Sequence, residues 1–203
     1  YRPQADDALM RIAKIYEMEN KTLKARESYQ RLTTDYPKSP FVQNAMMKML
    51  FMLYKEGKYT EVIQNSANVL EKTILKDHIF RIHMLLGGSY LAVSQPEEAV
   101  NSFIVAYQQS KKGEKANVIQ KLTGAIGQLE PDRLIFLFKE MDDELLSGYL
   151  LYQLGIGCVD EKKFESAVQM LSLLVQKFPK HEKTHRAKAL LEELQKKSLY
   201  QRY

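Results

Sequence analysis

Residues 147–179 read SGYLLYQLGIGCVDEKKFESAVQMLSLLVQKFP, and this stretch decides the fold. Leu151, Leu154, Gly155 and Cys158 recur at helical spacing on one face. A polar turn over 160–163 follows. Phe164, Ala167, Leu171 and Leu174 then form a second apolar stripe, closed by Pro179. The pattern predicts two amphipathic helices joined by a short turn. Gly155 and Ala167 are small where two antiparallel helices must approach, and Phe164 is expected to plug the turn. Pro179 ends the second helix because it lacks an N–H and clashes with the preceding turn.

The same frame recurs. Leu86, Gly87, Tyr90, Ala99, Phe103 and Ala106 keep its internal offsets, and so do Leu9, Ile12, Ala13, Tyr16, Ala25, Tyr29, Leu32 and Pro37. Met46, Met49, Leu50, Leu53, Gly57, Tyr59, Val62 and Val69 form a weaker copy. One frame position is held by Tyr16, Leu53, Tyr90 and Cys158, separated by 37, 37 and 68 residues. The last gap is two periods of about 34 residues, so a degenerate repeat should sit between. Four copies in phase predict an all-α array of antiparallel helix pairs.

The bulk numbers agree with a folded chain. Its 203 residues are 45% hydrophobic and 27% charged, and no apolar run approaches the roughly 20 residues that span a bilayer. Tyr1 is not an initiator Met, so the chain is read as a processed or truncated piece, which leaves room for a targeting signal already removed. Its single cysteine, Cys158, rules out an internal disulfide and is expected to be a buried, inert thiol. The net charge of +5 is spread unevenly: 148–203 holds 10 Lys and Arg against 6 Asp and Glu, and 114–147 holds 4 against 7. Mixed faces of this kind are solvated helix surfaces, and no basic stripe with interleaved aromatics marks a nucleic-acid binder.

Punctuation divides the chain. Ser39 and Pro40 suit an N-cap and a first helical residue for a helix over 41–55, and Gly57 suits its stop. Asp77 is expected to cap a helix over 79–93. Pro96 with Glu97 and Glu98 opens the next helix, with acids at the positive end of its dipole. Helices are expected over 114–129 and from Pro131, and the acidic run 142–144 should be a solvated loop that caps the helix after it. The expected organisation is three repeats over 1–110, a degenerate pair over 111–146, a fourth repeat plus a capping helix over 147–197, and a linker or tail over 198–203.

The pattern of large residue, Leu-Gly, aromatic, then Ala, aromatic, Ala and Pro resembles the tetratricopeptide repeat family over nearly the whole chain, which implies an α-solenoid. The joins Tyr36-Pro37-Lys38-Ser39-Pro40 and Phe178-Pro179-Lys180-His181 resemble those of repeats in bacterial periplasmic envelope lipoproteins. Within that group, the order of strong and degenerate repeats is similar to the N-terminal helical region of penicillin-binding-protein activators. That likeness implies a periplasmic or cell-envelope location, a type I periplasmic-binding-protein domain following, and a role in cell-wall synthesis or ligand sensing. A cytoplasmic peptide-sensing regulatory repeat domain is the alternative.

One motif spells chemistry. His181-Glu182-Lys183-Thr184-His185 is H-E-x-x-H, the zinc-protease signature, which needs both imidazoles on one helical face and a third ligand. Pro179 puts the motif at a helix start, and no third ligand is signalled. A zinc hydrolase at His181 and His185 is therefore the least favoured reading, and a polar first turn the favoured one. The expectation is a non-enzymatic chain with no cofactor and no metal.

The first helix of each pair lines the inner side of such arrays. In this frame the inner positions are Met10 and Lys14, flanked by Asp7 and Glu17; Asn44, Met47, Phe51 and Tyr54; Arg81, Met84 and Leu91, with Gly88; and Tyr149, Tyr152 and Ile156. Methionine recurs at one frame position as Met10, Met47 and Met84. It is unbranched and polarizable and suits an adaptable apolar surface. The expected site is a Met and aromatic groove for a protein or peptide partner. The competing reading is that these side chains pack on the chain's own capping helix or on a neighbouring repeat. Lys14, Asn44 and Arg81 are the only candidates for a clamp on a peptide carboxylate.

Overall fold

The computed structural model describes residues 3–73 and 75–200, with side chains from 5 to 73 and 75 to 196. Among the described residues there are eleven helices and no strand. They are α1 (Pro3–Met18), α2 (Thr22–Asp35), α3 (Val42–Lys55), α4 (Tyr59–Lys72), α5 (Lys76–Ala92), α6 (Pro96–Gln109), α7 (Lys115–Ile126), α8 (Pro131–Glu140), α9 (Glu144–Asp160), α10 (Phe164–Lys177) and α11 (Thr184–Tyr200). None is long and apolar enough to cross a membrane. The chain falls into two compact units, 1–122 and 123–203, and the division lies inside α7.

Four hairpins share one turn. Asn20, Gly57, Ser94 and Lys162 take left-handed φ angles of 55°, 73°, 59° and 60°. One residue later, the N–H groups of Lys21, Lys58, Gln95 and Lys163 donate to the carbonyls of Tyr16, Leu53, Tyr90 and Cys158 at 2.8–3.0 Å. Those four carbonyls belong to the residues whose spacing set the frame. The left-handed residue and the six-to-one hydrogen bond form a Schellman stop, which satisfies carbonyls that the helix end would otherwise orphan. Only Gly57 adopts this φ without steric cost.

In unit 1 the hairpins α1–α2, α3–α4 and α5–α6 are joined by packing of α2 on α3 and of α4 on α5. Met10, Ala13, Ala25, Tyr29, Leu32, Ala45 and Met52 form one buried cluster, and Met46, Met47, Leu50, Leu53, Val62, Val69, Ile82 and Leu86 form the next. In unit 2, α8 packs on α9, α9 on α10 and α10 on α11 around Leu151, Ala167, Leu171, Leu174, Ala187 and Leu194. The small residues sit where expected. A Cβ on Gly87 would lie 2.5 Å from the Phe103 ring, and one on Gly155 would lie 2.6 Å from Leu171.

Several expectations need correction. Phe164 opens α10 with its ring exposed, so it does not plug the turn. Cys158 is half-buried rather than buried. Asp77 caps nothing: α5 begins at Lys76 with Leu75 before it, and the Asp77 carboxylate instead pairs with Arg81 and Lys111. Ser39 accepts from the Phe41 N–H, and α3 starts at Val42 rather than at 41. α7 is shorter than expected, ending before Gly127, as two glycines weaken its last turn. α9 starts a turn earlier than residue 147, because the Asp143 carboxylate accepts from the Leu146 N–H at 2.9 Å. α11 runs on to Tyr200, and the rest of the expected 198–203 tail lies outside the described residues.

Candidate interaction groove

The first helices of the three unit 1 hairpins enclose a cavity of about 800 Å³. α1 supplies Met10 and Lys14. α3 supplies Asn44, Met47, Lys48 and Phe51, and α5 supplies His78, Phe80, Arg81, Met84 and Leu85. The wall is completed by Gly113, Glu114 and Asn117. The spacings follow from helix geometry, since residues three or four apart stack on one face. Seven sequence-predicted residues meet here: Met10, Lys14, Asn44, Met47, Phe51, Arg81 and Met84. Met10 and Met47 are nearly buried and show only an edge, while Phe51 is 43% exposed.

The rim is cationic. Lys14, Lys48 and Arg81 stand against one lining acid, Glu114. Lys48 is paired with Glu17 at 2.8 Å, and Arg81 with Asp77 at 3.0 Å. Lys111 also reaches Asp77, at 2.9 Å, and the hydrogen bond from its ammonium holds that carboxyl below its ordinary range, helped by Arg81. Lys14 is exposed and has no ion-pair partner among the described residues. His78 is buried at the cavity edge, its Nδ1 3.4 Å from the Thr73 hydroxyl, and burial lowers its pKa.

Tyr54 and Leu91 do not line this cavity. The Tyr54 ring meets Tyr59 edge-on at 5.4 Å, packs on the second core cluster, and fills the space beside Gly88. Burial raises its pKa, with Tyr59 adding to the effect. Tyr54 is thus a packing residue that occupies the space beside Gly88.

In unit 2 the predicted groove residues meet the chain itself. Tyr149 is 3% exposed, and the His181 ring stands edge-on to it at 4.7 Å. The Lys183 ammonium lies 5.4 Å from the Tyr149 ring centre and 6.0 Å from that of Tyr152. Burial raises the Tyr149 pKa, and a hydrogen bond to Glu182 adds to this. Tyr152 is half-buried against the unit 2 core, and Ile156 is half-buried beside it on α9. The segment 180–183, just before the capping helix α11, therefore covers Tyr149 and Tyr152 on α9.

His181 is fixed by both ring nitrogens. Nε2 donates to the Leu145 carbonyl at 2.9 Å, and Nδ1 accepts from the Lys183 N–H at 3.1 Å. The ring is thus neutral, with its proton on Nε2, and burial lowers its pKa. α11 begins at Thr184, so His181 stands outside the helix that carries the exposed His185. The H-E-x-x-H spelling does not place two imidazoles on one helical face. Its first imidazole closes a repeat junction instead. The equivalent junction in unit 1 pairs the Ser39 hydroxyl with buried Asp6 at 2.6 Å.

A second cavity, of about 940 Å³, lies on the other side of α3, between α2 and α4. Its floor is Met46, Leu50, Leu53 and Val69, which are core side chains. Its walls mix Arg26 and Arg31 with Glu27 and Glu61, and Arg26 is already paired with Glu56. No sequence feature singled it out. The inner cavity has the better claim, because it alone combines an exposed aromatic with an uncompensated cation.

A family model described as tetratricopeptide repeat matches residues 7–39. A crystal structure of a tetratricopeptide repeat protein from Parabacteroides merdae ATCC 43184 is similar over 97% of this chain and 76% of that one, with a TM-score of 0.56 at 14% identity. No curated protein matches the sequence. The described residues thus have a tetratricopeptide-like helical fold, and residues 7–39 match the family's own sequence pattern.

Proposed function

We propose that this chain is a protein-interaction scaffold whose inner unit 1 cavity takes an apolar peptide segment flanked by acidic residues. One observation carries the reading. Seven residues chosen from the repeat frame, on three separate helices, converge on one cavity with a methionine floor and a cationic rim. Methionine adapts to varied apolar side chains, and Phe51 offers a large exposed surface. Lys14, with Arg81 and Lys48 beside it, complements acid and repels basic segments.

The proposal extends to a cell-envelope module serving cell-wall synthesis or ligand sensing. What supports this part is the likeness of the joins at Tyr36–Pro40 and Phe178–His181 to those of envelope lipoproteins. Fractionation of cells producing the native gene product tests it; recovery with the cytoplasm would favour a cytoplasmic peptide sensor.

The groove is tested by selecting binders from a random peptide display library on the wild-type chain. Selected peptides should carry an apolar centre with flanking Asp or Glu. Phe51→Asp and Lys14→Glu should each weaken their binding by tenfold or more, about 1.4 kcal/mol. Selected peptides that bind both variants as well as wild type would refute the assignment.

A further inference from the structure

α8 carries an apolar pair on the side away from its core. Asp132, Ile135, Phe136, Lys139 and Glu140 are exposed, with Ile135 at 40% and Phe136 at 50%. At 100° per residue these five fall in one sector of about 140°. Leu134, Leu137 and Phe138 fall in the opposite sector. Leu134 and Leu137 are buried, and Phe138 lies against the unit 2 core, where α8 packs on α9. The outer stripe of a surface helix is ordinarily polar, so Ile135 and Phe136 are out of place there. The Arg133 guanidinium lies 4.6 Å from the centre of the Phe136 ring and still leaves half of the residue open.

The setting of the pair is acidic. Residues 130–144 hold 6 Asp and Glu against 2 Lys and Arg. Asp132 and Glu140 bracket the apolar pair, about 12 Å apart along the helix axis. An apolar centre between acids is the chemistry that suits the unit 1 groove, where Met47, Met84 and Phe51 stand with Lys14, Lys48 and Arg81. Lys55 adds to that positive charge, with its ammonium 4.8 Å from the centre of the Phe51 ring.

The chain's charges single out α8 as the occupant. Outside the groove, the other exposed large apolar side chains lie on α1 and at Leu23, Leu75 and Phe164, and all of them stand among basic or mixed charges. A groove set against a second groove would oppose like charges, whereas a groove set against α8 joins opposite ones.

We propose that copies of this chain associate head to tail, with Ile135 and Phe136 of α8 in one copy seated in the unit 1 groove of the next. This rests on the unit 1 groove as the peptide site and names one occupant for it. The two surfaces differ, so each contact leaves a groove open at one end and an α8 face at the other, and assembly continues beyond a pair. The contact is small, and its expected affinity lies in the weak micromolar-to-millimolar range.

Sedimentation equilibrium of the full chain, from about 1 μM to about 1 mM, spans that range. The weight-average mass should rise with concentration from 23.6 kDa to beyond twice that value. Phe51→Asp spoils the groove and Phe136→Asp spoils the insert. Each variant alone should stay monomeric, with an unchanged helical circular-dichroism spectrum because both side chains are exposed. An equimolar mixture of the two should associate and stop at twice the chain mass, because each supplies the surface that the other lacks. Ile135→Asp should serve in that mixture as well as Phe136→Asp does. The double variant Asp132→Lys/Glu140→Lys should weaken self-association tenfold or more, since attraction to the cationic rim becomes repulsion. A monomer at every concentration overturns the proposal, and the groove itself survives that result if library-selected peptides still bind it. Self-association undiminished in Phe51→Asp, in Phe136→Asp or in the double charge variant overturns it too, since the contact then lies elsewhere. So does a mixture of the two folded variants that stays monomeric.

Discussion

At the scale of single residues, the absence of a Cβ does three different jobs. At Gly57 it permits the left-handed turn, and at Gly87 and Gly155 it permits close approach of the paired helix. At Gly148 it makes room for the His181 ring, which a Cβ would meet at 2.5 Å. Gly148→Ala should therefore cost about 1–3 kcal/mol by overpacking, read as a lower denaturation midpoint. Gly124→Ala makes the opposite case: a Cβ there meets nothing, and the substitution should stabilise α7 by about 0.5–1 kcal/mol. Lys162→Gly should likewise stabilise, by up to about 1 kcal/mol, because Lys162 holds a φ of 60° that glycine adopts freely. Gly155 was legible from spacing alone, because a small residue between two apolar stripes implies a crossing point. Gly148 was not, because its partner lies 33 positions along the chain and on no shared periodicity.

At the scale of elements, the stripes announced the helices, and the turn residues announced their ends. What the stripes could not convey was the first turn of a helix, where one hydrogen bond moves the boundary. Asp143 draws α9 upstream by bonding the Leu146 N–H, and Asp77 leaves its expected cap for Lys111 and Arg81. The segment 180–183 is the clearest such case. The letters of its motif suggested a metal site, and its hydrogen bonds make it a clasp. That clasp predicts a pH dependence. Burial holds the folded-state pKa of His181 below the ordinary 6.5, so the folded state refuses a proton that the unfolded state accepts. The clasp's contribution is full above about pH 6.5 and is lost as pH falls below it toward the depressed folded pKa. Chemical denaturation at pH 7.5 and 5.5 should show unit 2 weaker at the lower pH. His181→Gln, which keeps an N–H donor but does not titrate there, should flatten that dependence. His78 and His83, also held below 6.5 by burial, should give unit 1 a trend of the same sign.

At the scale of the whole molecule, function rests on which inner positions remain open. The repeat frame treated Met10, Met47, Met84 and Tyr152 as equivalent, and by sequence they are. In unit 1 the methionines edge a cavity; in unit 2 Tyr149 and Tyr152 lie under the chain's own Lys183. Periodicity identifies a face, whereas the residues that cover it come from a turn about 30 positions away. Phe51→Asp should accordingly weaken peptide binding tenfold or more with little change in stability, whereas Tyr54→Ala should destabilise unit 1 by about 1–3 kcal/mol, because its half-buried ring packs against the core. The nine methionines report on every surface in dispute, so carbon-13 methyl spectra of methionine-labelled protein give the most direct measurement. Titration with a selected peptide should shift the Met47 and Met84 methyl signals, with Met10 following, and leave Met46, Met49 and Met170 in place. Shifts at Met46 and Met49, which line the cavity on the far side of α3, with none at Met47 and Met84, would contradict the account.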